Sequence, residues 1–104
     1  MATAFEVLAE PNRRKILDML LTTESPVGDI VDAMALSQPL VSKHLRVLRE
    51  AGLVEARIDA QRRIYSVRAE PLRAMDEWLQ PYRRLWGERL DALAEHLQTM
   101  GDEE

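Results

Sequence analysis

The stretch S-Q-P-L-V-S-K-H-L-R-V-L-R-E-A-G, residues 37–52, predicts a helix with one buried side and one displayed side. Ser37 is suited to accept a bond from a backbone N–H left free at the helix start, Pro39 is tolerated in the first turn, and Gly52 suits a left-handed exit. At about 100° per residue, Leu40, Val41, Leu45, Val47 and Leu48 gather on one side and Gln38, Ser42, Lys43, Arg46 and Arg49 on the other. The displayed side has amide and hydroxyl groups towards its amino end and basic residues at one-turn spacing, with Glu50 as its acid. Such a face fits the major groove of duplex DNA, where Gln, Ser and Arg reach base edges while Lys and Arg neutralise phosphates. Any surface helix carries a charged face, so the flanking segments must decide. The wheel sets His44 near Leu40 and Leu48, which favours a packed, hydrogen-bonded histidine over a base reader.

Upstream, Ser25-Pro26 opens a helix in which Val27, Ile30, Val31 and Met34 recur at intervals of three and four, with Asp29 and Asp32 facing out. Ala35-Leu36-Ser37 is then a sharp corner. Two short helices joined by about three residues, the second with a donor-rich face, form a helix-turn-helix. Downstream, 53–58 and 63–67 alternate and are rich in β-branched residues, so a two-stranded hairpin with Asp59-Ala60-Gln61-Arg62 between its strands is expected. Its basic tip reads as a wing, with Arg62 and Arg63 reaching the DNA backbone or a narrow minor groove. Arg57 and Arg68 fit either that role or a solvated, charge-protected edge.

The chain of 104 residues is expected to be one domain over 1–104. It is 46% hydrophobic and 31% charged, hence globular. With no cysteine, disulfides, thiolate metal sites and cysteine catalysis are excluded. No apolar run approaches a membrane span and no signal-peptide pattern opens the chain, so a cytoplasmic protein without membrane contact is expected. The net charge of −4 argues against a polyanionic partner, but its distribution reverses that. Residues 38–68 hold seven Lys or Arg against three Asp or Glu, making this segment +4 and the remainder −8. A basic middle between acidic ends orients a protein on DNA.

At the amino end, Thr3 and Glu6 form a capping box for a helix over about 3–10, anchored by Phe5 and Leu8. A second helix runs from Pro11 to about Leu21 with Ile16, Leu17, Leu20 and Leu21 buried. Arg13, Arg14 and Lys15 crowd its start, where positive charge opposes the helix dipole, so they either pair with Glu6, Glu10 or Asp18 or contact phosphate. Helices over about 71–99 close the chain, started by Pro71 and interrupted or kinked at Pro81. There Leu79, Tyr82, Trp86, Leu90, Leu93, Leu97 and Met100 form a near-heptad stripe, more than one small core covers. A second copy of the chain is the expected cover, with Phe5, Leu8, Leu79, Tyr82, Trp86, Leu90, Leu93 and Leu97 at the dimer interface; packing on the chain's own first helix is compatible with it. Residues 101–104 read as an acidic, frayed tail.

Together, L-A-E-P-N-R-R-K-I-L (8–17), L-S-Q-P-L-V-S-K-H-L-R-V-L-R-E-A-G-L-V (36–54), I-Y-S-V (64–67) and Y-R-R-L-W-G-E-R-L-D-A-L-A-E-H-L (82–97) resemble the ArsR/SmtB family of bacterial winged-helix repressors. The resemblance implies a mainly α (α+β) winged helix-turn-helix of about five to six helices with a two-stranded wing. It further implies a homodimer built on the first and last helices, presenting two recognition helices to a partly palindromic operator. By matching positions, Ser37, Gln38, Ser42, Lys43, His44 and Arg46 lie in the segment that enters the groove. The DNA-binding set expected here is therefore Ser37, Gln38, Ser42, Lys43, Arg46, Arg62 and Arg63. The family's thiolate metal motif would fall on Pro26, Val27 and Gly28, which are not ligands, and the terminal helix offers only Asp91, Glu95 and His96 to a zinc site. No metal and no cofactor are expected, so the chain resembles a member without metal sensing. The glycine common at the wing tip is absent, leaving the turn type open.

Two other functions compete with a DNA-binding repressor. A protein-interaction module would use the surface of Trp78, Trp86 and Leu90 to hold a different protein. An enzyme finds little support: there is no nucleophile-base arrangement and no glycine-rich phosphate loop, and Asp76-Glu77, adjacent on a helix, diverge by about 100°. An apolar effector between Trp78, Tyr82 and Trp86 is compatible with the stripe but nothing specifies one.

Overall fold

Capping side chains set the first two helix starts. Thr3 Oγ1 accepts from the Glu6 N–H at 3.2 Å and opens α1 (Ala4–Leu8). The Glu10 carboxylate accepts from the Arg13 N–H at 3.0 Å and opens α2 (Pro11–Thr22), whose first turn contains Pro11. The computed structural model describes residues 3–102, with side chains through residue 99. After α2 come β1 (Ser25–Pro26), α3 (Val27–Met34), α4 (Gln38–Glu50), β2 (Val54–Asp59), β3 (Arg62–Val67) and α5 (Ala69–Asp102). This is the mainly helical winged helix-turn-helix expected, with five helices among the described residues.

The helix-turn-helix corner is made by Ala35, left-handed at φ 55° and ψ 36°, whose N–H donates to the Val31 carbonyl at 3.0 Å. Ser37 then caps α4, its Oγ accepting from the Leu40 N–H at 3.3 Å. At the far end Gly52 adopts φ 75°, its N–H donating to Arg49 at 3.0 Å while the Leu53 N–H reaches Leu48 at 2.9 Å. That pair of bonds ends the helix and folds Leu53 back onto the turn containing Leu48; both side chains are fully buried.

The hairpin of β2 and β3 closes with Asp59 opposite Arg62, so its loop is Ala60-Gln61. Ala60 has φ 57°, the positive sign that a first central residue takes in a type II′ turn, where glycine is usual. The sheet also has a third strand. Ser25 and Pro26, expected to open the third helix, instead pair antiparallel with Tyr65 and Ile64, and the helix begins at Val27. The order β1-β3-β2 puts Pro26 on an edge, where its missing N–H is tolerated.

The core gathers Val7, Ile16, Leu17, Leu20, Ile30, Val41, Leu45, Leu48, Leu53, Val54 and Tyr65. Leu21 and Leu40, expected inside, are 77% and 38% exposed. Leu17 already lies at the margin of the core and Leu21 continues one turn beyond it, while Leu40 precedes the first buried turn of α4. Pro81 does not interrupt the terminal helix, which corrects one of the two outcomes expected of it: α5 is a single helix through it. Glu77, whose carbonyl loses a helical donor to Pro81, is exposed, as is Pro81, so water can take the bond. The helix reaches Asp102 rather than about 99; the rest of the expected tail, Glu103 and Glu104, and the Met100 side chain lie outside the described residues.

Among the described residues, α5 touches the core at its start, through Leu72. The remainder projects, giving extents of 66 × 28 × 21 Å and a radius of gyration of 19.2 Å, against about 13 Å for a compact chain of this length.

Ala35→Gly should stabilise the protein by up to about 1 kcal/mol, because glycine relieves the left-handed penalty while adding some unfolded-state entropy. A urea midpoint that is unmoved or lowered, with unchanged m, would show that the left-handed penalty does not exceed that entropy.

Candidate nucleic-acid interface

The inner stripe of α4 is Val41, His44, Leu45 and Leu48, all buried, at spacings of three, one and three. Burying those positions turns Gln38, Pro39, Ser42, Lys43, Arg46 and Arg49 to solvent. Gln38, Ser42, Arg46 and Arg49 meet Arg63 of β3 around one depression of about 270 Å³, floored by Val27, Leu45 and Tyr65. Arg62, Arg63 and Gln61 border a second, about 580 Å³, whose opposite wall is Pro26, Val27, Gly28 and Asp29. Six of the seven residues expected to contact DNA thus cluster on one side of the molecule: Ser42, Lys43 and Arg46 line a further shallow site with Pro39, and Gln38, Arg62 and Arg63 border the two depressions.

Ser37 is the exception in role. Its hydroxyl oxygen is occupied as the helix cap, so its first duty is structural. Arg49, left out of the expected set although its wheel angle is outward, shares the depression with Arg46 and Arg63; the three-residue step from Arg46 was the available signal.

The basic residues divide by partner. Among the described residues, Lys43, Arg46, Arg49 and Arg63 have no carboxylate within 4.0 Å. Arg57, by contrast, is ion-paired with Glu24, which through that hydrogen bond and its charge raises the guanidinium above its ordinary value. Arg68 lies 4.0 Å from Glu55 and 3.7 Å from Glu70, and Arg62 sits 3.8 Å from Asp59. The displayed face of α4 and Arg63 thus carry charge without a carboxylate partner, as Lys15, Arg73, Arg84 and Arg89 do elsewhere, while Arg57 and Arg68 are matched within the fold.

His44 is 7% exposed and its Nδ1 accepts from Arg13 Nε at 3.3 Å, so it faces inward as its wheel angle suggested. Of the basic cluster opening α2, Arg13 and Arg14 do not form the expected ion pairs with Glu6, Glu10 or Asp18. Arg13 Nη1 donates to the Val7 carbonyl at 3.4 Å, and Arg14 Nη1 to those of Leu8 and Ala9 at 2.7 and 3.1 Å. These carbonyls end α1 without helical donors, which is why guanidinium groups collect there.

At the other end, Leu79, Tyr82, Trp86, Leu90, Leu93 and Leu97 of α5 are between 37% and 65% exposed. Phe5, itself half exposed, meets Trp78 edge to face at 5.4 Å, and Trp78 lies 4.9 Å from Tyr82. Leu8, grouped with them from the sequence, is half-buried and packs against the chain's own core. Among the described residues, no group of three or more His, Cys, Asp or Glu is arranged to hold a metal, and no helix is long and apolar enough to cross a membrane.

Residues 10–56 match the family model described as bacterial regulatory protein, arsR family. The transcriptional repressor SdpR of Bacillus subtilis is 32% identical over 79 residues, covering 76% of this chain and 88% of that protein. The HTH-type transcriptional regulator Rv2034 of Mycobacterium tuberculosis is 33% identical over 100 residues, 96% of this chain and 91% of that protein. Among solved structures, the homodimeric winged helix-turn-helix DNA-binding domain Mb0332 of Mycobacterium bovis matches with a TM-score of 0.63 at 30% identity, covering 77% of this chain and 74% of that one.

The cap and the displayed hydroxyl should separate in a stability measurement. Ser37→Ala is expected to cost about 1 kcal/mol and Ser42→Ala less than about 0.5 kcal/mol in urea unfolding; equal costs would contradict the assignment of Ser37 as the cap.

Proposed function

The chain belongs to the arsR family of bacterial regulatory proteins, and from that premise we propose that it is a sequence-specific regulator of transcription that binds double-stranded DNA, a repressor acting in the cytoplasm as a homodimer on a partly palindromic operator. It is a regulator and not an enzyme. The observation that carries the reading is the uncompensated basic face of α4 gathered with Arg63 around one depression. Gln38, Ser42 and Arg46 read base edges, while Lys43, Arg62 and Arg63 hold phosphates and set the register. Arg49 joins the phosphate-holding group. The operator's phosphates supply the anions that Lys43, Arg49 and Arg63 lack within the fold.

The exposed stripe of α5 supports the second half of the proposal. Six large apolar side chains on one projecting helix bury against a second copy of that helix, with Phe5 and Trp78 beside them. Two copies then present their α4 helices to successive major grooves, about 34 Å apart. The competing use of the same surface, capture of a different protein by Trp78 and Trp86, rests on those indoles being 57% and 65% exposed. Light scattering with tryptophan fluorescence separates the two: a stable dimer with shielded indoles favours the homodimer, and a monomer with solvent-exposed indoles favours the interaction module.

Footprinting on the region upstream of the protein's own gene at two salt concentrations tests the reading as a whole. Paired protections one helical turn apart that weaken with salt are expected, and the absence of any salt-dependent protection would overturn it. In the same assay Arg46→Ala should cost about 1–3 kcal/mol at the preferred site and relax the sequence preference. Lys43→Ala should weaken all sequences alike and lower the salt slope by about 1. Leu90→Glu, a charge in the middle of the stripe, should convert the dimer to a folded monomer in sedimentation; a persisting dimer would place the interface elsewhere.

A further inference from the structure

Arg13 stands where three helices meet. Its backbone N–H donates to the Glu10 carboxylate at the start of α2, its Nη1 to the Val7 carbonyl in the last turn of α1, and its Nε to His44 Nδ1 in the middle of α4. Val7 is 1% and His44 7% exposed, so both side-chain contacts of the guanidinium are made at the core. With an N–H aimed at it, Nδ1 acts as the acceptor and the ring proton belongs on Nε2. Among the described residues this is the sole side-chain hydrogen bond joining α4 to another element. Apolar packing holds α4 against the core but has no direction, whereas a planar fork that holds two acceptors at once fixes their relative placement.

Resting on the DNA-binding reading above, we infer that Arg13 is a positioning residue: without touching DNA, it pins the rotation of α4, and so the aim of Gln38, Ser42 and Arg46, to the end of α1. Because α1 lies beside the root of α5 through Phe5 and Trp78, the pin ties the reading face to the helices that carry the proposed dimer. Its position two residues from Pro11 gives it reach to both neighbours, and Arg14, bonded to the Leu8 and Ala9 carbonyls, secures the same helix end.

The test compares the full-length protein and its variants on duplex DNA from the region upstream of its own gene, at two salt concentrations. Arg13→Met keeps the aliphatic stem and removes the fork. Its affinity should fall about tenfold, the scale of one charge-assisted hydrogen bond, with the wild-type salt slope retained because no phosphate contact is lost. His44→Gln, which keeps an acceptor for Nε, should stay within about threefold of the wild type, and His44→Met should fall with Arg13→Met. Unchanged affinity for Arg13→Met overturns the inference, as does a salt slope lowered by about 1, which would make Arg13 a phosphate ligand.

Lys43→Ala in the same titration tells the two failures apart. If it weakens binding while Arg13→Met does not, the pin is wrong and the DNA-binding reading stands. If the wild type itself shows no salt-dependent binding, the DNA-binding reading falls, and amide hydrogen exchange decides the pin: Arg13→Met should speed exchange in α4 around His44 and leave α5 unchanged, and unaltered exchange in α4 overturns it. Should Arg13→Met fail to fold, Arg13→Lys, which keeps the charge without the fork, should bind with intermediate affinity; wild-type affinity for it overturns the requirement for two directed bonds.

Discussion

Burial of one side of α4 is the constraint on which the rest of the molecule depends. Val41, Leu45 and Leu48 are at most 1% exposed, and each such side chain contributes about 1.5–3 kcal/mol when removed from water. Turning the helix by a single residue would exchange them for Ser42, Arg46 and Arg49, placing guanidinium groups in the core. Against a total stability of about 5–15 kcal/mol, that exchange is prohibitive. The direction in which Gln38, Ser42 and Arg46 face is therefore decided by the apolar residues between them. The rigid exit at Gly52 adds to this, because the bond from Leu53 to Leu48 holds the first strand of the wing to the last turn of the helix.

That dependence explains what was legible from residue order alone. The alternation of apolar and polar positions in 37–52, together with Ser37 and Gly52 at its ends, contains both the helix and its outward face, and both are observed. Thr3 likewise acts through a neighbour three residues away, a distance over which sequence and space coincide, whereas the cap formed by Glu10 at the same distance was not read from the sequence. Contacts between distant segments were harder to see. Nothing local at Ser25-Pro26 announces that its partner is Ile64-Tyr65, some forty positions on, and a proline before a helical pattern reads more naturally as a helix start. Arg13 and Arg14 were visible as a basic cluster, yet their carbonyl partners depend on how α1 ends over α2, which no spacing rule conveys. Leu21 and Leu40 carry the right period and fall beyond the edge of the core, because periodicity sets an angle and not a depth.

The two ends of the molecule are physically different. The winged region has a shared core and compensates several of its own charges, as at Arg57 with Glu24 and Arg68 with Glu55 and Glu70. The projecting part of α5 has a stripe of large apolar side chains and, among the described residues, one ion pair, Arg83 with Asp76 at 3.0 Å. A 34-residue helix, about 51 Å long, gains little from propensity alone. Packing against another surface is what makes such an element worth ordering, and its repeat of three and four residues is the pattern that a like helix complements.

The short strand β1 has a consequence for solubility. A sheet of three strands leaves two open edges, and open edges are where chains join into fibres. On one side the edge is two residues long and includes Pro26, so it offers an incoming strand at most a single N–H. On the other, β2 places Glu55, Arg57 and Asp59 at alternate positions, and an approaching backbone would have to strip water from all three. Joining of chains through the sheet is thus disfavoured at both borders.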